Sequence, residues 1–491
     1  AKGNELKVSA FKDNADGTYE AGLSKLEKRG LSNITPCYDK DKCIMCNLCS
    51  FVCPHAVVRP YLLDKDEVLN APDSVKSDLK DAKIKDKDLS FTIGISPLDC
   101  TGCSLCAGIC PTKALVMDSI DKNKDKEMEK HEYLERVSEK RVMDVNTVKG
   151  SQFRKPLFSF HGACAGCGET SYIKLLTQLF GDNLMIANAT GCSSIYGASL
   201  PNTPYSVPWA NSLFEDNAEF GFGMRVSLNH QQEKIKRIMK KNVDKVNSKN
   251  RELILSYLNN YNKDISFKVY NEMDYDDFKE IVPFKQYIKE RSIWLVGGDG
   301  WAYDIGFGGI DHVLANNLDV NILVLDTEVY SNTGGQASKA TRCGAVAKFA
   351  SSGKTTMKKD LAKIAMTYPH VYVGTISLGA NYMHTIKTLL EANSYKGPSI
   401  IIAYSPCISH GIKSGMKDSI KEEKLATESG YFPLYRYNPV TKKLSLDSKA
   451  DFSKYDDIFE RENRYRLKSD LLNINKDNAI SNYNKIKEDT E

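Results

Sequence analysis

The 491-residue sequence has no run of the roughly 18 consecutive apolar residues that a membrane span needs. It opens on Ala1-Lys2-Gly3-Asn4-Glu5, without an initiator methionine, and no apolar core follows, so no secretory leader is expected at this end. It lacks a strong charge of one sign. The formal net charge of +4 is spread over many acids and bases and gives no reason to expect nucleic acid. Two nucleotide signatures each fail on one residue. Gly298-x-Gly300 lacks the third glycine of a dinucleotide fingerprint, because Tyr303 stands there. Gly353-Lys354-Thr355 lacks the opening glycine of a phosphate loop, because Lys348 stands there. What remains, 41% hydrophobic and 26% charged residues, describes a soluble globular chain long enough for two or three domains.

Cysteine is the residue type that is plentiful. Of fourteen, eight fall into two runs, Cys43-x2-Cys46-x2-Cys49-x3-Cys53-Pro54 and Cys100-x2-Cys103-x2-Cys106-x3-Cys110-Pro111. Tight spacing without a secretion signal favours metal or cluster binding over disulfides. Three close thiolates wrap one face of a [4Fe–4S] cubane, and the fourth reaches the other cluster, as in bacterial two-cluster ferredoxins. The expected ligand sets are therefore Cys43, Cys46, Cys49 and Cys110 for one cluster, and Cys53, Cys100, Cys103 and Cys106 for the other. A pair of zinc sites is the alternative, although zinc motifs usually pair two separate C-x2-C elements.

Composition shifts divide the chain. Residues 1–36 are expected as a lead-in, 37–120 as an α+β ferredoxin-like domain with a polar insert, and 121–156 as a charge-dense solvated helix or linker. Residues 157–425 carry short apolar runs: Leu184–Ala187, Ile293–Val296, Ile322–Leu325, Val371–Val373 and Ile400–Ala403. Bounded by Gly, Asn and Asp, these predict buried parallel strands of an α/β domain. Residues 426–491 are expected as a helical tail, available to wrap a partner.

One strand signal leads into Gly297-Gly298-Asp299-Gly300, and the next into Asp326-Thr327-Glu328-Val329-Tyr330-Ser331-Asn332-Thr333-Gly334-Gly335. Glycine lets backbone approach phosphate oxygens, and a following helix N-terminus favours an anion. Mg²⁺ wants a compact octahedron of oxygens. The Asp299 carboxylate, the Thr327 hydroxyl and the Val329 carbonyl would supply three, with two diphosphate oxygens and a water. A GDG tripeptide alone would suit any tight loop; its flanking strands and the oxygen-rich second turn give it weight.

Taken together, these motifs resemble the pyruvate:ferredoxin oxidoreductase family over most of residues 10–425. The most specific blocks are Phe160-His161-Gly162-Ala163-Cys164-Ala165-Gly166-Cys167-Gly168-Glu169-Thr170, Asn188–Gly197, Trp209–Gly221 and Gly298-Asp299-Gly300-Trp301-Ala302-Tyr303-Asp304. The resemblance implies thiamine diphosphate, Mg²⁺ and a third [4Fe–4S] cluster on Cys164, Cys167, Cys192 and Cys407. From the residues alone, Cys164-x2-Cys167 would equally suit a redox dithiol, and Cys192 and Cys407 would be buried structural thiols. Twelve cysteines are then used, and Cys37 and Cys343 have no role. The resemblance also sets Glu169 and Cys192 against the thiamine, Gly298 to Trp301 on its diphosphate side, and Thr327 to Asn332 along metal and thiazole. Asn332 stands near the reacting carbon, where an amide steadies an oxyanion, or else serves as a turn former before Thr333-Gly334-Gly335. Ile195 props the bent cofactor or simply packs.

The implied reaction is oxidative decarboxylation of pyruvate with coenzyme A to acetyl-CoA and CO2, with electrons passing through three clusters to ferredoxin or flavodoxin. Single-chain members of the family are more than twice this long, and their oxoacid-binding N-terminal half is not matched here. The chain is therefore expected to need that half or a partner chain, and to work as a homo-oligomer. The alternatives are another oxoacid such as 2-oxoglutarate or indolepyruvate, and a stand-alone electron-transfer module. A non-redox thiamine decarboxylase would leave the cysteines idle. Reduced thiols and cubanes suggest an anaerobic cytoplasm, or an anaerobic organelle.

Overall fold

The structure is a computed structural model that describes residues 7–15, 20–197 and 202–490. It has thirteen strands: β1 Ile34–Tyr38, β2 Val58–Leu63, β3 Lys80–Asp81, β4 Ser90–Ile95, β5 Leu115–Ser119, β6 Leu184–Ala189, β7 Trp209–Ser212, β8 Ser292–Gly298, β9 Asn321–Asp326, β10 Tyr372–Ile376, β11 Ser399–Tyr404, β12 Tyr435–Asn438 and β13 Lys443–Leu446. Each of the five apolar runs singled out in the sequence overlaps a strand.

Eight strands form one sheet in the order β13-β12-β10-β11-β9-β8-β6-β7. From β10 to β7 all neighbours are parallel; β12 and β13 join antiparallel at one edge. Both faces are covered, which is why the central strands read as unbroken apolar runs. Because side chains alternate along a strand, Ile293, Leu295, Ile322, Val324, Ile400 and Ile402 enter one core. Trp294, Val296, Leu323, Leu325, Ile401 and Ala403 enter the other. Helices Asn217–Asn242 and Phe307–Ala315 contribute to the first layer, and Thr170–Phe180 and Tyr382–Ser394 to the second.

The cysteine-rich part is smaller. β1 pairs antiparallel with β5, and β2-β4-β3 form a three-stranded sheet over a core of Val58, Phe91, Ile93, Ile95 and Leu115 that includes Cys53, Cys100 and Cys106. Short helices Leu48–Phe51 and Leu105–Ile109 carry the third cysteine of each run, Cys49 and Cys106, and pack on each other.

Two expectations need correction. The charged stretch after residue 121 is solvated on one face only: in Lys124–Leu134, Lys124, Asp125, Lys126, Glu129 and Glu132 are exposed, while Glu127, Lys130, His131 and Leu134 are buried. Lys130 Nζ pairs with Asp78 Oδ2 of the insert at 2.6 Å, so that buried charge is satisfied internally. Nor are residues 426–491 a separate helical tail. They supply the edge strands β12 and β13, and Tyr431, Leu434, Tyr455, Tyr465 and Ile486 sit in the main core.

A buried acid in this layer gives a test of the packing. Glu423, on helix Ser419–Glu428, is 1% exposed and accepts from the Gly379 N–H. Burial pushes its pKa up from 4.5 to about 8, against a lowering by that N–H. Its folded pKa exceeds the unfolded one, so its stabilising contribution is present below pH 4.5 and lost as pH rises through about 8. Glu423→Gln is expected to gain on the native chain across that window, by about 2 °C or more in Tm at pH 8.5 relative to pH 5. Thermal melts of both proteins at the two pH values read it directly.

Candidate active site and cluster cavity

Open α/β sheets present ligands beyond the carboxyl ends of their parallel strands, and the sequence-flagged residues gather there. β6 ends at Ala189 and delivers Cys192; β8 ends at Gly298 and delivers Asp299; β9 ends at Asp326 and delivers Thr327, Val329 and Asn332; β11 ends at Tyr404 and delivers Cys407. Two adjoining cavities result. One, of about 240 Å³, is lined by Gly298, Asp299, Gly300, Val329, Ser331 and Asn332, with Glu169 and Cys192. The other, of about 350 Å³, is lined by Cys164, Cys167, Cys192 and Cys407, with Glu169, Ile195, Thr327 and Asn332. Glu169, Cys192, Ser331 and Asn332 form their shared wall.

Where the two cavities meet, Thr327 Oγ1, which lines the second, lies 3.1 Å from Asp299 Oδ1 and 3.0 Å from the Val329 carbonyl oxygen of the first. Octahedral ligands at about 2.1 Å from Mg²⁺ stand about 3.0 Å apart when adjacent. One hydroxyl proton also cannot serve both acceptors at once, so a cation would resolve an excess of lone pairs. The three groups fit Mg²⁺. Gly300 is as tight as the diphosphate reading needs: a Cβ there would meet the Tyr330 ring at 2.0 Å.

Trp301 does not join this wall. Its indole is fully buried in the main core, folded over Gly297 and Gly306, both of which would clash with it if they carried a Cβ. Ile195 does join: it lines the larger cavity and is 60% exposed, so packing within the described residues does not account for it.

All fourteen cysteines lie among the described residues, and none is in a disulfide. Burial, then the neighbouring Glu169, pushes the Cys192 and Cys167 thiols up, and Cys407 is pushed up to about 11 with burial as the first cause. Cys192 feels both Cys407 and Cys164. Thiols raised by burial and by a neighbouring acid ionise more readily beside a cation, which bound iron would supply. The two runs lie within reach of each other's charge. Cys49 is raised by burial and then by Cys46, Cys43 and Cys110. Cys106 is raised by burial and then by Cys53, Cys103, Cys100 and Cys49. Cys103 Sγ accepts from the N–H of Gly166, which stands between Cys164 and Cys167.

Glu169 is buried at the start of helix Thr170–Phe180 and takes a hydrogen bond from Tyr196 Oη at 3.0 Å. Burial raises its pKa to about 7, with the Tyr196 hydrogen bond opposing.

Sequence reasoning missed several residues. Ser338 donates to Asp299 Oδ2, His410 Nε2 lies 2.7 Å from the Thr327 carbonyl oxygen, and the Glu328 side chain, paired with Arg342, holds the backbone between Thr327 and Val329. Ser338 had a faint signal, a small hydroxyl following the Gly334-Gly335 turn. Outer groups that hold a metal ligand typically matter about 10–100-fold in metal affinity. Ser338→Ala is therefore expected to raise the Mg²⁺ concentration for half-maximal thiamine diphosphate binding by about 10-fold or more, and Ser338→Thr to restore it; calorimetric titration at graded Mg²⁺ measures both.

Comparison with known proteins agrees with this geometry. Residues 284–403 match the thiamine pyrophosphate enzyme C-terminal TPP-binding domain, residues 39–114 a 4Fe-4S dicluster domain, and residues 1–32 a domain of unknown function called EKR. The pyruvate:ferredoxin oxidoreductase of Moorella thermoacetica is 47% identical over 94% of this chain and 42% of that protein. A pyruvate-flavodoxin oxidoreductase of Trichormus variabilis is 43% identical over 95% of this chain and 42% of its own length. A pyruvate dehydrogenase [NADP(+)] of Cryptosporidium parvum is 42% identical over 97% of this chain and 28% of its own length. The chain thus spans well under half the length of these relatives. A solved 2-oxoglutarate:ferredoxin oxidoreductase from Magnetococcus marinus is 16% identical over 51% of this chain and 65% of that chain with a TM-score of 0.33, too remote to carry an argument. With a thiamine-diphosphate-binding domain and an iron–sulfur domain matched in order, the chain belongs to the pyruvate:ferredoxin (flavodoxin) oxidoreductase family.

Proposed function

We propose that this chain is the thiamine and electron-harvesting part of an enzyme that oxidatively decarboxylates pyruvate with coenzyme A, passing electrons to ferredoxin or flavodoxin. The observation that carries this is the shared wall. Glu169, Cys192 and Asn332 border both the thiol-lined cavity and the cavity lined by Gly298, Asp299, Gly300 and Val329, so a redox group and a diphosphate group would be neighbours.

Asp299, Thr327 and Val329 would hold Mg²⁺, with Gly298 and Gly300 admitting the diphosphate backbone-close. Thiamine diphosphate, when bound, supplies the carbon nucleophile and electron sink that decarboxylation needs. Asn332 would orient the substrate oxygen through its amide. Glu169, near neutral pKa and braced by Tyr196, can hold or give up a proton at the shared wall. Cys164, Cys167, Cys192 and Cys407 would grip the proximal [4Fe–4S] cluster. The Gly166 N–H to Cys103 contact supports the next step running to the set Cys53, Cys100, Cys103 and Cys106, and then to Cys43, Cys46, Cys49 and Cys110.

Pyruvate binding itself would come from the oxoacid-binding portion that the longer relatives have room for, and a homo-oligomer would bring the parts together. No helix among the described residues is long and apolar enough to cross a membrane; a reducing cytoplasm suits the thiols. The test is pyruvate- and coenzyme A-dependent viologen reduction by the chain alone and after mixing with the oxoacid-binding part of a relative. Reduction only in the mixture, carried by pyruvate rather than 2-oxoglutarate, is expected. Full-rate reduction by the chain alone, or none in a mixture with loaded cofactors, contradicts the reading.

A further inference from the structure

The Glu27-Lys28-Arg29 turn belongs to the segment matched only as a domain of unknown function. Its backbone is unusual: Lys28 has φ 45° and Gly30 φ 62°, left-handed values that a side chain such as lysine rarely adopts. The strain accompanies a dense set of contacts to the loop that bears Cys100. Lys28 Nζ pairs with Asp99 Oδ2 at 2.5 Å and reaches Ser96 Oγ at 3.3 Å, while lying over the Phe160 ring. The Gly30 N–H donates to the Leu98 carbonyl at 2.8 Å. Ser32 sits so close to Gly102, between Cys100 and Cys103, that no Cβ fits there.

Arg29 turns the other way. It lines the cavity of Cys164, Cys167, Cys192 and Cys407. A Cβ at Gly162, two residues before Cys164, would stand 2.7 Å from Arg29 Nη1. Glu27 Oε2 takes the Arg29 Nε–H, leaving the Nη side facing the cavity rim.

We propose that the turn is a built part of the redox centre: Lys28 fixes the Cys100 loop, and the oriented Glu27–Arg29 pair sets the charge at the proximal-cluster cavity, favouring the reduced cluster there. This rests on the reading of the four thiols as cluster ligands. A cluster that takes up one electron gains one negative charge, so the nearer cation stabilises the reduced form and the farther anion opposes it. Removing either partner should therefore shift the same equilibrium in opposite directions, which mere packing would not do.

The experiment is a dye-mediated dithionite titration of the full 491-residue chain, reconstituted anaerobically with iron and sulfide and read by electron paramagnetic resonance. Iron and sulfide are assayed on the same samples. At a fixed potential, Arg29→Gln should lower the ratio of reduced to oxidised proximal cluster about 3- to 10-fold, tenfold being about 59 mV for one electron. Arg29→Lys should recover most of it, and Glu27→Gln should raise the ratio. Should Arg29→Gln lose the cluster, Glu27→Gln and Arg29→Lys still decide the sign. Full cluster content with both ratios within twofold of the native chain, or both moving the same way, overturns this proposal alone. A native chain that takes up no third cluster overturns the reading of the thiols, and this proposal with it.

Discussion

Glu328→Gln is expected to destabilise the chain by about 3–5 kcal/mol and to weaken Mg²⁺-dependent thiamine diphosphate binding in the same variant. Glu328 is fully buried and ringed by cations. Arg342 Nε and Lys358 Nζ each lie 2.9 Å from Oε1, and Arg464 Nη1 lies 2.9 Å from Oε2. Tyr431 Oη also donates to Oε2, at 2.6 Å. Burial alone would push this carboxyl up, but Lys358, Arg464 and Arg342 outweigh it and hold it well below the usual carboxylate range. Around it the charges balance: Asp326 pairs with Lys358, and Glu462 with Arg464. A neutral amide in place of Glu328 leaves a buried cation uncompensated, which is the costly way to break such a network.

The coupling to cofactor follows from the backbone. Glu328 has φ 59°, a left-handed conformation held by its side chain and by the Thr341 hydroxyl on its carbonyl. That twist turns the Thr327 hydroxyl and the Val329 carbonyl toward Asp299 together. Loosening it should misplace both. Thermal melts and calorimetric titration of Mg²⁺ and thiamine diphosphate check the two effects. A variant with native Tm and native affinity would show that the clamp does neither job. The sign with pH is fixed too. Glu328 has a depressed pKa, so its contribution is present above the ordinary 4.5 and lost as pH falls through the lower folded value.

The second large effect concerns the proximal thiols. Cys407→Ser should lower iron from about twelve to about eight per chain, with sulfide falling in parallel. Cys407 arrives from the end of β11 and Cys192 from the end of β6, so only the folded sheet joins them to Cys164 and Cys167. Of the other two expected ligand sets, Cys43, Cys49, Cys53, Cys100 and Cys106 lie in or against a separate core with Phe91, Ile93 and Leu115, and those clusters should remain. Cys343→Ser is the control: Cys343 is buried, its Sγ faces the Thr355 carbonyl oxygen, and no cluster cavity includes it, so iron content should not change. Loss of all iron in Cys407→Ser, or loss of none, would contradict the assignment.

Much of this was legible in the sequence because its chemistry is local. The two cysteine runs carry their spacing on their face, and five apolar runs announce the strands, since a strand buried on both faces has no polar side to confuse the pattern. The Asp299, Thr327 and Val329 triad was legible because each follows a strand end. The rest depends on distant pairing. β12, Tyr435-Arg436-Tyr437-Asn438, and β13, Lys443-Leu444-Ser445-Leu446, are edge strands whose polar residues disguised them as tail. The family resemblance set Trp301 on the diphosphate side, but the π-helical turn Gly300–Ile305 carries its indole into the core. Glu328 read as one more acid in an oxygen-rich loop; the three cations that define it arrive from residues 342, 358 and 464. The helix Lys124–Leu134 looked wholly solvated because the partner of Lys126 and Lys130, Asp78, lies about fifty residues away in the sequence.

Twelve of the fourteen thiols are assigned to iron beside a diphosphate pocket. Iron and acid-labile sulfide analysis of the anaerobically reconstituted chain, with electron paramagnetic resonance after dithionite reduction, decides that assignment. About twelve irons and about twelve sulfides, with interacting reduced-cluster signals, is the result predicted. About two zinc ions per chain with no sulfide would contradict it.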